Sequence, residues 1–215
     1  MADTADTAEP GPSEGGFVRE GVWHSVPRRT VPDGPAEALI LVDVQTAFLT
    51  GPDAVPEAAG LTARLTALLE RARAAGAVVI HLRNDGEPGA PDEPGTPGWH
   101  LALPVRESAR ETVVSKESED GFEDTGLGAL LDGHGVRSVV VAGVLSEMCV
   151  SATALGALDH GLRVVLPHDT HTTYGLDDLP PAVVSKVAEH ALGPDPEFVT
   201  SAAGVTFTAP GETRG

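Results

Sequence analysis

Residues 139–169 read VVVAGVLSEMCVSATALGALDHGLRVVLPHD. A short β-branched run closes on a glycine at 143, a stretch of Ala, Leu and Met follows, and a second β-branched run starts at Arg163. Two such strands joined by a helix-length segment pair in parallel, because a parallel connection needs a crossover of a dozen or more residues. Neither run alternates apolar with polar residues, so both faces of the sheet are covered.

The same rhythm continues outward. ALILVDV (38–44), LTARLTALLERARAAG (61–76), AVVIHLR (77–83), TVVS (112–115), SVVVAG (138–143), RVVLPHD (163–169) and PAVVSKVAEHA (181–191) alternate strand-like and helix-like runs. This predicts an α/β protein: a three-layer, Rossmann-like open sheet of about six mainly parallel strands, with helices on both faces. The strands fall at 38–42, 78–82, 112–115, 139–142, 164–166 and 198–200, and the helices at 61–75, 126–133, 147–160 and 181–192. NDGEPGAPDEPGTPGWHLALPVRESARE (84–111) is too long and too rich in Pro and Gly for a plain connector, and reads as an active-site loop.

Residues 1–35 stand apart. The first sixteen contain almost no large apolar side chains and are expected to form a flexible tail. Residues 17–36, with Phe17, Val18, Val22 and Trp23 between Pro and Gly, are expected to lie as an irregular arm on the body or on a neighbouring subunit.

Of 215 residues, 41% are hydrophobic and 21% charged, enough for one core without disulfides. A single cysteine excludes an internal disulfide, and neither a signal-type leader nor a run of roughly 18 apolar residues is present, so a cytoplasmic protein without membrane contact is expected. Fourteen Lys and Arg against 32 Asp and Glu give a formal charge of −18. Such a field repels nucleic acid and anionic lipid and favours cationic solutes, although solubility alone also explains it.

In open parallel sheets, ligands bind beyond the carboxyl ends of the strands. Three residues there have complementary chemistry. Asp43 ends ALILVD, Lys116 follows VVS, and Cys149 lies six residues past Gly143 at the start of a predicted helix. A helix N-terminus and a nearby cation both favour a thiolate, which would activate Cys149 as a nucleophile. Taken singly, each has a plainer reading: a packed thiol, a strand-end cap, a solvated surface charge.

Three stretches, LVDVQTAF (41–48), VVSKESEDGFEDTGL (113–127) and the 139–169 segment, resemble the signature blocks of the isochorismatase-like cysteine hydrolases in order and spacing, over roughly residues 37–200. The resemblance implies one hydrolase domain over residues 36–215, with Asp43, Lys116 and Cys149 as catalytic triad. It also implies a cis peptide between Val144 and Leu145, and an oxyanion hole formed by the backbone N–H groups of Leu145 and Cys149. Gln45, Phe48, Arg83, Trp99 and Ser146 are the candidate substrate-binding residues. The implied chemistry is metal-independent and needs no cofactor: a small-molecule amide or lactam, cationic ones included, is opened through a thioester. The blocks are most similar to members that open the lactam of a basic antibiotic. A homo-oligomer is expected.

The Asp-x-His metal motif of nicotinamidases is missing between Phe48 and Leu82, and the presence of Cys149 departs from true isochorismatases, which act on a vinyl ether. His168 and His171 in PHDTHTTY have ligand-like spacing but read more simply as hydrogen-bonded or exposed side chains. His81, Arg83, Asn84 and Asp85 follow a strand and are read as pocket-lining. Asp85, Glu87, Asp92 and Glu93 make the long loop acidic.

Overall fold

The computed structural model describes residues 16–19, 22–25, 29–106 and 108–211. Strands β1 (Gly16–Arg19) and β2 (Val22–Ser25) pair with each other antiparallel. The main sheet contains β3 (Ala38–Val42), β4 (Val78–Asn84), β5 (Glu111–Lys116), β6 (Ser138–Val144), β7 (Arg163–Pro167), β8 (His171–Thr172) and β9 (Glu197–Val199). Its order is β5-β4-β3-β6-β7-β9, with β8 joined to the end of β6, and every pairing is parallel. The chain builds outward from β3 in one direction and then from β6 in the other. That reversal places a crevice between the carboxyl ends of β3 and β6.

Alternation along the central strands explains the layers. In β3, Leu39 and Leu41 join one core and Ala38, Ile40 and Val42 the other. Helix α2 (Ala58–Ala74) covers the first face with Leu61, Leu65, Leu68, Leu69 and Ala72, a stripe at helical spacing. Helices α3 (Leu127–Gly133) and α4 (Ser151–Asp159) cover the second with Leu127, Leu131, Ala154 and Ala157. A short α1 (Thr46–Leu49) follows β3, and α5 (Pro181–Ala191) precedes β9.

The α/β architecture matches the sequence expectation, with differences in detail. The main sheet has a seventh strand, β8, too short to leave a periodic signal. The arm around Phe17 to Trp23 is not irregular throughout. Its β-branched and aromatic residues pair as β1 and β2, and β1 lies along α5. The flexible tail predicted for the first residues lies outside the described residues. The helix predicted over 147–160 divides into a π-type turn at Ser146–Val150, with Met148 outside helical geometry, and α4. Strand β6 runs to Val144 rather than Ala142, because Gly143 pairs with Val42 at φ 139°; a Cβ there would stand 2.0 Å from the Val42 carbonyl oxygen.

The loop after β4 is pinned to the body. Gln45 is fully buried; its Nε2 donates to the carbonyls of Asn84 (3.0 Å) and Trp99 (3.2 Å), and its Oε1 accepts from the Asn84 N–H (2.8 Å). Asn84 Nδ2 in turn donates to Asp92 at 2.7 Å. No helix among the described residues is long and apolar enough to cross a membrane.

Candidate active site

Asp43 is the first residue beyond β3. Its backbone is left-handed, φ 49°, which Asp tolerates better than most residues, and its N–H is held by the Leu82 carbonyl at 3.1 Å. Lys116 ends β5, two strands away across β4. Neighbouring strands lie about 4.8 Å apart, so only a long side chain spans that gap. Lys116 Nζ reaches Asp43 Oδ2 at 2.9 Å. On the other side of β3, the turn after β6 brings Cys149 Sγ to 3.3 Å from the same ammonium. Lys116 also donates to the Ser118 carbonyl at 3.1 Å and to Asn84 Oδ1 at 3.4 Å. Four adjacent strand ends thus converge on one cation.

The electrostatics of this set oppose the thiolate that a helix N-terminus and a nearby cation favour. Burial, and after it the negative Asp43, push the Cys149 thiol up to about 12, against the pull of Lys116. Burial also raises Asp43 in spite of Lys116. Burial alone would lower Lys116, but Asp43 and Cys149 outweigh it and raise it. Burial thus favours the protonated thiol at Cys149, beside the Asp43–Lys116 contact. Asp43 Oδ1 has no hydrogen-bond partner among the described residues, which leaves a lone pair able to receive a proton.

Val144–Leu145 is a cis peptide, and it opens the turn that carries Cys149. Ser146 is buried, and its hydroxyl hydrogen-bonds His171 Nδ1 at 2.8 Å and Ser185 Oγ at 2.9 Å. Arg83 stacks its guanidinium 3.6 Å from the centre of the Trp99 ring, while Trp99 Nε1 donates to Asp85 at 2.7 Å. Phe48, partly buried, packs against the α2-side core. The structure therefore brings Asp43, Lys116 and Cys149 together, joins Arg83 to Trp99, and uses Gln45 to tie the loop down.

His81 is not part of this region. It is fully buried and points to Glu111 at the start of β5, at 3.1 Å, where Arg73 also binds that carboxylate at 2.5 Å. The acidic loop is likewise less free than its composition suggests. Asp92 is buried against Asn84, and Glu93 accepts from the Gly89 N–H at 2.8 Å. A cleft of about 530 Å³ nevertheless opens beside Lys116, lined by the carboxylates of Asp85, Glu87, Glu117, Glu123 and Asp124.

Residues 37–188 match the isochorismatase domain model. The chain belongs to the isochorismatase family of hydrolases. Two streptothricin hydrolases of Streptomyces noursei are 58% identical over 181 residues and 55% over 182, each covering 81% of this chain. The chain spans 66% of the length of the first and 72% of the second. The crystal structure of an isochorismatase from Pseudomonas putida KT2440 superposes with a TM-score of 0.71 at 28% identity, covering 81% of this chain and 94% of that one.

In this isochorismatase-family fold, one residue of the site and one residue near it carried weaker sequence signals. Asn84, read only as pocket-lining, touches Lys116. Glu189 lies between His168 Nδ1 at 2.6 Å and His171 Nε2 at 3.2 Å, and its signal was its position: with Ser185 it places polar atoms on the buried stripe of α5.

Proposed function

We propose that this chain hydrolyses the C–N bond of a small-molecule amide or lactam, with Cys149 as nucleophile. The observation that carries this reading is the convergence of Asp43 and Cys149 within 3.3 Å of the Lys116 ammonium in a buried crevice. Substrate entry brings an electrophilic carbon to Cys149. Sulfur attacks it as the thiol proton passes to Asp43, and the carbonyl electrons collect on an oxyanion held by the Leu145 and Cys149 N–H groups. Collapse breaks the C–N bond, with Asp43 returning its proton to the departing nitrogen. Water, deprotonated by Asp43, then attacks the thioester, and cleavage of the C–S bond regenerates the thiol. Lys116 balances the carboxylate and the transient thiolate throughout, so no step leaves an uncompensated buried charge.

Streptothricin is the substrate we assign, with its lactam as the bond opened. Identity to two streptothricin hydrolases supports this choice, and the cleft of five carboxylates beside Lys116 suits a cationic molecule. Arg83, Trp99, Phe48 and Ser146 are the residues we assign to its binding, with Gln45 as their support. A nucleophilic thiol suits a reducing compartment, hence the cytoplasm. Self-association is assigned to the exposed apolar surface of Leu176, Leu179, Val183 and Val187, and light scattering tests it.

The deciding experiment incubates purified protein with streptothricin and follows mass. A gain of one water with wild type, and none with Cys149→Ala of unchanged circular dichroism, is expected. Turnover by Cys149→Ala removes the nucleophile assignment. Hydrolysis of other amides but not of streptothricin removes the substrate alone.

A further inference from the structure

A second cluster of chemically capable side chains lies outside the Asp43, Lys116 and Cys149 set. His168, just after β7, and His171, the first residue of β8, meet Glu189 of α5. The ligating atoms of the three residues all lie within 4.8 Å of one another. We propose that His168, His171 and Glu189 bind a divalent transition-metal cation of the zinc class, with a further coordination position open to the adjoining cavity.

Two imidazoles and a carboxylate form a donor set suited to Zn2+. Metal–ligand bonds of about 2.0–2.2 Å in tetrahedral geometry put neighbouring donor atoms roughly 3.3 Å apart. His171 Nε2 already stands 3.2 Å from Glu189 Oε1. His168 Nδ1, at 2.6 Å, has to retreat by less than an ångström, and its side chain is 35% exposed and able to do so. His171 and Glu189 are fixed by burial.

The surroundings support the donors. The other nitrogen of His171 is hydrogen-bonded to Ser146 Oγ at 2.8 Å, and Ser146 to Ser185 at 2.9 Å. With Nδ1–H donating to Ser146, the Nε2 lone pair faces the metal position; such outer partners fix the tautomer of ligating histidines. A cavity of about 340 Å³ is lined by His168, His171 and Ser185 together with Arg64 and Pro181, giving a path for the ion and room for water on it. None of the three proposed ligands belongs to the 48–82 segment from which the nicotinamidase metal motif is missing, although Arg64 of that segment lines the same cavity.

The ion would join α5 to the Ser146–Val150 turn through His171 and Ser146, and so brace the segment that carries Cys149. It contributes no step to the proposed hydrolysis, and it does not depend on that reading.

The test uses the full chain, stripped with a chelator and titrated with Zn2+ by calorimetry, and with Co2+ by visible absorption. One Zn2+ per chain, Co2+ bands of low-symmetry coordination and a raised Tm are expected. His168→Ala and Glu189→Gln should each abolish stoichiometric binding. Ser146→Ala should weaken it by about 10- to 100-fold, and Cys149→Ala should leave it unchanged. His168→Ala alone decides the matter should Glu189→Gln fail to fold, because His168 is partly exposed. Absence of one-to-one binding, or equal binding by wild type and His168→Ala, overturns the proposal. Binding lost in Cys149→Ala also overturns it, by placing the ion at the thiol.

Discussion

Lys116 Nζ stands 2.9 Å from Asp43 Oδ2 although the two residues belong to strand ends separated by β4, and their side chains are 0% and 3% exposed. A buried pair of this kind is costly to form and costlier to break, because removal of one partner leaves the other charge without water or counterion.

Lys116→Met and Asp43→Asn are therefore each expected to lower stability by about 3–5 kcal/mol and to remove hydrolysis. The double variant should recover most of the stability, since neither charge remains, and none of the activity. Denaturant unfolding of the four proteins checks this. A double variant as unstable as the sum of the single ones contradicts the pairing.

Burial, and after it Asp43, push the Cys149 thiol up to about 12. Iodoacetamide should consequently alkylate the free protein slowly at neutral pH, with a rate that climbs about tenfold per pH unit and shows no plateau below the normal thiol value of about 8.5. Asp43→Asn removes the negative charge and should bring the apparent value down. Fast, pH-independent alkylation near neutrality would mean that the resting state is a thiolate.

Glu111 joins α2 to the sheet through Arg73 and His81. Burial acts to raise its carboxyl, but the Arg73 guanidinium, the Arg106 N–H and His81 outweigh it and hold it at about 2, below its ordinary 4.5. Its stabilising contribution is complete above about 4.5 and is lost as pH falls toward 2. His81, lowered from 6.5 chiefly by burial, adds loss in the same direction at milder acidity, since the unfolded chain takes up the proton first. Urea midpoints measured downward from pH 7 should fall, and Glu111→Gln should start lower and fall less. An unchanged slope in that variant separates Glu111 from the acid response.

Most of the architecture was legible because it rests on local chemistry. β-branched runs separated by Ala/Leu stretches dictate parallel strands and crossover helices whatever the surroundings, and the apolar stripe of α2 is visible at helical spacing. Asp43, Lys116 and Cys149 were legible for a related reason: each follows a strand end, where an open sheet gathers its ligands. Strand β8, two residues long, has no period to detect. The pairing of β1 with β2 was hidden among Pro and Gly.

The amino-acid sequence by itself determined the strand and helix alternation, the absence of an internal disulfide and the three residues with complementary chemistry. Their meeting at one ammonium, the upward push of burial on the Cys149 thiol, the burial of His81 with Glu111 and the placing of Glu189 between two histidines were decided only by tertiary structure. Contact between residues far apart in the chain depends on strand order, and protonation depends on how much water the packed layers exclude. Neither quantity exists in any local window of sequence.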